Sequence, residues 1–276
     1  QRQMCIRDSC KYAIAVNNAT AALHLAATAL DVNPGDKVIV TPLTFAASAN
    51  CIRYRGGEVV FCDVEEDTYL MDIKKLSRLL SQSPKGTYKG IVLVDFAGYP
   101  ANLEAFRQLA DEYGLWIIED ACHAPGGYFI DSKGEKQLCG NGNFADVSVF
   151  SFHPVKHIAT GEGGMATTNC KELYEKLCLY RTHGITKNPA LLHENHGGWY
   201  YEMQELGYNY RITDFQAALG ISQLKRADMG LARRQEIARR YREGLSDLKG
   251  VKLPFVSDQV FHAYHLFIIQ VEDRLG

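Results

Sequence analysis

The feature that most constrains the fold is an alternation, repeated along the first half of the chain, of short apolar runs and stretches with helical spacing. Ala13–Val16 precedes a helical pattern from Thr20 to Leu30, Lys37–Val40 precedes one from Phe45 to Arg55, and Glu58–Val64 precedes Asp72 to Ser81. Gly90–Phe96 then precedes Leu103 to Tyr113, and Leu115–Ile118 runs into Glu119-Asp120. Within Asp72–Ser81, the side chains of Ile73, Leu76, Leu79 and Leu80 fall on one helical face. Strands that are apolar on both faces must be covered on both sides, so the pattern predicts an α/β fold with a mostly parallel sheet between helical layers. Ligands of such sheets bind beyond the carboxyl ends of the strands. Val16-Asn17-Asn18, Asp95, Asp120 and Ser151 all fall at such ends.

Charge and cysteine content narrow the function classes. A net charge of −2 over 276 residues implies no broad attraction to nucleic acid or to an anionic membrane. No apolar run approaches membrane-spanning length and no secretory signal is visible. The eight cysteines contain no CxxC pair, and several lie inside apolar runs, which fits free thiols in a reducing cytoplasm. Arg233, Arg234, Arg239, Arg240 and Arg242 interleave with Glu236 and Glu243 and read as a solvated helix face.

Three units are expected along the chain. Residues 1–9 (QRQMCIRDS) have neither helical nor strand period and read as a foreign or misread start, residues 10–220 as a large domain, and residues 221–276 as the beginning of a smaller, incomplete one. A long helical region is predicted from Thr213 to about Leu248 with a weak point at Gly230, and His265–Val271 reads as a strand in need of a partner. Ile130 to Asn143 has the composition of a hairpin lying over the surface, and Gly184 to Gly207 that of a long functional loop.

Chemistry is suggested at three places, each with an ordinary alternative. In Asp146–Asn169 (DVSVFSFHPVKHIATGEGGMATTN) a strand, a tight turn and a second strand hold Lys156 near the apex. A lysine held there and partly desolvated has a lowered pKa and can form a Schiff base; on this stretch alone an ordinary surface lysine is favoured. Asn17-Asn18-Ala19-Thr20 leaves open N–H groups at a helix start, where a phosphate binds, although a plain N-cap reads the same way. Asp120 ends a buried strand and needs a cationic or hydrogen-bonding partner, which a protonated pyridine nitrogen or a metal would supply. His123 could donate to a ring oxygen or be a satisfied buried histidine.

A phosphate-ready helix start, a strand-end aspartate and a lysine on a rigid hairpin, in that order, are what pyridoxal phosphate needs. Together with NNATAALHLA (17–26), TPLTFAASAN (41–50), IEDACHAPGG (118–127), FSFHPVKHIATGEGG (150–164) and LGYNYRITDFQAALG (206–220), they make the chain resemble the DegT/DnrJ/EryC1/StrS sugar aminotransferases, of the aspartate-aminotransferase-like fold. Within that family the chain is similar to the transaminases that make UDP-4-amino-4,6-dideoxy-N-acetylaltrosamine. The resemblance runs over roughly residues 10 to 276. It implies fold type I and pyridoxal 5'-phosphate bound to Lys156. It further implies Asp120 on the pyridine nitrogen, His123 near the ring hydroxyl, Phe45 stacked on the ring, and Ala19, Thr20 and Ser151 on the phosphate. Asn209 would reach the phosphate of a neighbouring subunit in a homodimer with shared sites. His183 and Arg211 are candidate substrate contacts, Arg211 equally a salt-bridge partner of Asp214 or a nearby glutamate. No metal is expected. The implied reaction moves an amino group, by family habit from glutamate, to C4 of a UDP-linked 4-keto-6-deoxy-N-acetylhexosamine. The alternatives are another nucleotide keto-sugar (3-keto or dTDP-linked), a dehydratase of the same fold, or an inactive relative. Dehydratases typically carry histidine in place of the lysine, so Lys156 favours transamination. A Rossmann dehydrogenase is disfavoured because no GxGxxG follows the first strand, and a metal site on His153 and His157 because Pro154 breaks the helix it would need.

Overall fold

The computed structural model describes residue 7, residues 9–194 and residues 196–272; most of the stretch read as a foreign start lies outside the described residues, as does Asn195. The alternating pattern folds as β1 (Tyr12–Val16), α1 (Ala19–Ala29), β2 (Lys37–Val40), α2 (Ala47–Arg53), β3 (Glu58–Phe61), α3 (Ile73–Ser81), β4 (Tyr88–Val94), α4 (Leu103–Tyr113) and β5 (Trp116–Asp120). There follow β6 (Tyr128–Ile130), β7 (Lys136–Leu138), β8 (Val147–Ser151), β9 (Gly164–Thr168) and α5 (Lys171–Arg181). The chain continues through the short strands β10 (Ile185–Thr186) and β11 (Glu202–Met203), α6 (Asp214–Leu224), α7 (Ala227–Leu245), β12 (Val251–Lys252), β13 (Val260–Phe261) and β14 (Gln270–Val271).

Seven strands form one sheet in the order β1-β9-β8-β5-β4-β2-β3. Neighbours are parallel from β8 to β3, whereas β9 is antiparallel to both β8 and β1. β9 alone is reversed because a turn rather than a crossover helix joins it to β8. The ends of β1, β5 and β8 and the start of β9 therefore lie along one edge. Ile14, Leu23, Leu25, Ile52 and Leu177 pack one face of the sheet, and Leu76, Leu80, Leu93, Phe106 and Ile117 the other. Alanines let α1 sit nearly flush against its neighbours, with every residue from Ala21 to Ala29 buried. The face expected from Ile73, Leu76, Leu79 and Leu80 is real, and Asp72 starts that helix by accepting from the N–H groups of Lys74 and Lys75.

Three expectations change in detail. The Ile130–Asn143 segment is a hairpin of β6 and β7, but β13 adds to β6 as a third strand, and Gln137, Cys139 and Asn141 are buried. The segment is a covered layer rather than a surface flap. The Thr213–Leu248 helical region breaks between α6 and α7, not at Gly230. At Arg226 the backbone flattens to φ −107°, ψ −1°, which redirects α7 so that Ala227 and Ala238 pack inward. Gly230 lies within α7 with open space around it, and a helix tolerates a single glycine there at a cost of about 1 kcal/mol relative to alanine. Of His265–Val271 only Gln270–Val271 is strand, paired with β12. Ahead of it the backbone is committed elsewhere: Ala263 N donates to Gly98 O (2.7 Å) and Leu266 N to Ala97 O (3.0 Å).

Candidate active site

A cavity of about 980 Å³ opens at the edge where β1, β5 and β8 end. Its walls include Ala19 and Thr20 of α1, Phe45 before α2, Asp120 and His123 after β5, and Ser151 and Lys156 after β8. Residues far apart in sequence meet there because parallel strands deliver their carboxyl ends to one side.

One pole of the cavity is an anion cradle. Asn18 caps α1, its side chain accepting from Ala21 N at 2.8 Å. The first-turn N–H groups of Ala19 and Thr20 have no acceptor within the helix, and both residues line the cavity. Gly164 pairs with Ser151 on one side and Val16 on the other. A Cβ at Gly164 would lie 2.6 Å from the carbonyl carbon of Asn18 and 2.7 Å from Ala19 N. The missing side chain is what allows the helix start and Ser151 to close on the same small space.

The opposite pole is a buried carboxylate. Asp120, 5% exposed, accepts from Ser48 Oγ (2.7 Å) and from Cys122 N (3.2 Å). Thr44 Oγ1 lies 2.8 Å from Ser48 Oγ and donates to it, since the Ser48 proton points to Asp120. Two donors fall short of saturating a carboxylate, so a cation at its remaining lone pairs would complete it. The one group of three side chains among the described residues that could hold a metal ion, Asp95, Glu119 and Cys139, does not include Asp120.

Lys156 sits half-buried on the turn between β8 and β9, its N–H bonded to His153 O at 2.9 Å. Phe152 N to Gly163 O (2.9 Å) and Thr160 N to Phe152 O (2.8 Å) close that turn. The amine makes no ion pair or side-chain hydrogen bond among the described residues. Burial lowers its pKa, while Cys122 and Asp120 pull the other way. His123 lies beside it, held neutral: burial first, then Lys156, His265 and His157, bring its pKa down to about 3. Its Nδ1 is buried and has no partner.

A profile of the DegT/DnrJ/EryC1/StrS aminotransferase family matches residues 5–275. The chain belongs to this family. Among curated relatives it is 42% identical over 242 residues to a UDP-4-amino-4,6-dideoxy-N-acetyl-beta-L-altrosamine transaminase of Campylobacter jejuni, covering 87% of this chain and 59% of that protein. It is 39% identical over 264 residues to the spore coat polysaccharide biosynthesis protein SpsC of Bacillus subtilis, covering 96% of this chain and 65% of that one. The chain thus spans less than two thirds of the length of either. Among solved structures, the PLP form of the putative sugar aminotransferase Spr1654 from Streptococcus pneumoniae superposes with a TM-score of 0.84 at 29% identity, over 98% of this chain and 69% of that one.

The donor set of this DegT-family chain fits pyridoxal phosphate. An open helix start and Ser151 suit the phosphate, an unsaturated buried carboxylate suits a pyridinium, an amine without a counter-ion suits a carbonyl, and the orphaned imidazole of His123 stands between them. The remaining candidates lie elsewhere. Asn209 bridges to Thr182 at the surface, His183 is exposed with φ +58°, and Arg211 is exposed with no ion pair to Asp214 or any glutamate among the described residues; none lines the cavity. In the Gly184–Gly207 loop, His193 pairs with Glu202 (2.9 Å) and His196 with Glu194 (2.7 Å).

Asp95, expected at the ligand edge, faces away from the cavity: its Oδ1 accepts from Ala101 N at 2.8 Å and it packs with Glu119 and Cys139. Glu119, on the face of β5 opposite Asp120, accepts from Gly140 N and from Ser148 Oγ. Burial drives both carboxyls up, Asp95 to about 6 and Glu119 well above its usual range. Sequence reasoning missed Ser48 and Gly164. Ser48 is one of many small residues in an unremarkable helix, and Gly164 is one glycine in a run that reads as turn.

Proposed function

We propose that the chain is the cofactor-binding part of a pyridoxal-phosphate-dependent nucleotide-sugar aminotransferase, with Lys156 as the catalytic residue. The observation that carries this reading is the joint placement of a half-buried, unpaired lysine, a buried aspartate and an open helix start around one cavity. When bound, the cofactor supplies an electron-withdrawing ring and a carbonyl that accepts amino groups. Ala19, Thr20 and Ser151 would hold its phosphate and Phe45, 73% exposed at the cavity wall, would cover the ring. Asp120, fixed by Ser48 and Cys122, would keep a proton on the ring nitrogen. Lys156, its ammonium form disfavoured by burial, takes and returns a proton at the substrate carbon. His123 would lie near the ring hydroxyl.

The substrate proposed is a UDP-linked 4-keto-6-deoxy-N-acetylhexosamine aminated at C4 with glutamate as donor, supported by the 42% identity to the Campylobacter enzyme. A homodimer with shared sites is supported by α6, which buries none of its residues and leaves Phe215 91% exposed. Asn209 and Arg211, exposed just ahead of it, would face the partner's site, Asn209 reaching its phosphate. Residues 10–220 form the cofactor-binding unit in this reading, and residues 221–276 open the smaller domain. No helix among the described residues is long and apolar enough to cross a membrane, and the buried free thiols suit a cytoplasmic place. Reconstitution with pyridoxal phosphate should give a visible absorption band that borohydride bleaches, leaving the cofactor on the Lys156 peptide. Label on another lysine, or a Lys156→Ala variant that still turns over, would refute the assignment. Assays with UDP-, dTDP- and GDP-linked 4-keto sugars and 3-keto isomers test the substrate, and preference for anything but the UDP-linked 4-keto sugar overturns that part alone. Light scattering tests the dimer, which a monomeric holoprotein would exclude.

A further inference from the structure

The buried Nδ1 of His123 has no hydrogen-bond partner among the described residues, although a neutral imidazole carries one donor and one acceptor. What orients it is packing. The His265 ring stacks on it at 4.3 Å between centroids and 30° between planes, and Phe96 stands on it at 6.0 Å and 51°. His157 packs in turn against His265 at 5.7 Å. We infer that His265 is a positioning residue of the active site, its ring clamping His123 in the orientation that presents it to the cavity beside Lys156.

The segment that carries His265 is built to hold it there. Leu266 N and Ala263 N bond to the carbonyls of Ala97 and Gly98 in the turn after β4. Arg234 on α7 donates through Nη1 to Tyr264 O (3.1 Å) and His265 O (3.4 Å). Tyr264 is held at φ +50°, a conformation that persists only where its surroundings impose it. Gly98, at φ +98°, is the point of closest approach: a Cβ there would lie 2.8 Å from His123 O and 2.9 Å from His265 N. The turn after β4, the backbone of His123 and the His265 segment are therefore in direct contact. Any loosening of that segment reaches the active site through one ring.

The clamp is also uncharged. Burial, then Lys156 and Arg234, bring His265 down to about 4, and burial with Arg234, His265 and Arg7 brings His157 to about 3. A neutral ring stacks on His123 without opposing a positive charge on Lys156. Lys156, His265 and His157 are the titratable groups that hold the His123 pKa down, and Asp120 and Cys122 line the same cavity.

The role of His265 rests on the pyridoxal phosphate reading, so the experiment has one arm that needs no cofactor. In the apo chain with isotope-labelled histidines, NMR should show His123 neutral down to about pH 5 in the wild type. In His265→Ala, where water replaces the stacked ring, its titration should move into the range of about pH 5 to 7. His265→Phe, which keeps an aromatic face, should restore the wild-type behaviour. In the loaded chain, the pH midpoint of the visible band should shift by roughly one unit in His265→Ala and not in His265→Phe, with borohydride still fixing the cofactor on Lys156 in both. A His123 titration unchanged in a folded His265→Ala variant, or a Phe variant as perturbed as the Ala variant, would overturn the inference. Failure of wild-type protein to take cofactor at Lys156 would sink the functional reading while the apo arm still decides the clamp.

Discussion

Gly164→Ala tests the geometry of the anion cradle directly. Gly164 is a strand residue without positive φ, so alanine meets no conformational penalty there and the whole effect is steric. The new methyl would lie 2.6 Å from Asn18 C and 2.7 Å from both Ala19 N and Asn18 O, where ordinary contact begins at 3.4 Å. All three are backbone atoms, with no side chain to swing away. Either β9 or the start of α1 must retreat by roughly 0.7 Å, and overpacking of this order costs about 1–3 kcal/mol. Borne by the fold, that lowers Tm by roughly 2–10 °C. Borne by the cofactor site, it weakens pyridoxal phosphate binding by about 5- to 150-fold. The assay is therefore paired: thermal unfolding of the apo chain, and titration of the apo chain with pyridoxal phosphate followed by its visible band. Gly244→Ala on α7, where nothing lies within 4 Å, is the control and should be neutral or slightly stabilising. A Gly164→Ala protein that melts and binds cofactor like the wild type would refute the argument that this glycine sets the spacing of Ser151 and the helix start.

Asp120→Asn should leave folding nearly intact, since the amide oxygen can still accept from Ser48 or Cys122, while transamination falls on the order of a hundredfold or more because no anion holds the ring nitrogen protonated. Comparing Tm with turnover checks this, and near-normal turnover would exclude the role. Asp95 and Glu119 give a pH prediction. Both have folded pKa values raised above their unfolded ones, so their contribution is most favourable in acid, below the unfolded values, and is lost as pH rises through about 6 for Asp95 and higher for Glu119. Unfolding free energies from urea titrations should therefore decline as pH rises from about 4 to about 6, the interval between the unfolded and folded values of Asp95, and Asp95→Asn should flatten that part of the decline. An unchanged slope in the variant would show that burial does not raise the Asp95 carboxyl.

Much of this protein was legible before any tertiary structure was seen. The run of two-faced apolar strands separated by helices dictates a covered, mostly parallel sheet, because such strands cannot face water. The same logic puts Asn18, Asp120 and Ser151 at one edge, and the turn holding Lys156 is local enough to be read from its own glycines and flanking strands. Elements defined by neighbours in sequence were therefore found where expected, save for the fine placement of breaks. The Thr213–Leu248 helix breaks at Arg226, where packing of Ala227 and Ala238 rather than glycine content sets the direction. What tertiary structure alone decided is everything that depends on which face of a strand or helix meets a distant segment. Asp95 and Asp120 look alike as strand-end acids, yet one is buried beside Glu119 and Cys139 and the other opens onto the cavity. Ser48 becomes the partner of Asp120 across 72 positions, and His265 that of His123 across the turn at Gly98. Periodicity reports the burial of a position, but pairing across the core is set by close packing, which has no local signature in the chain.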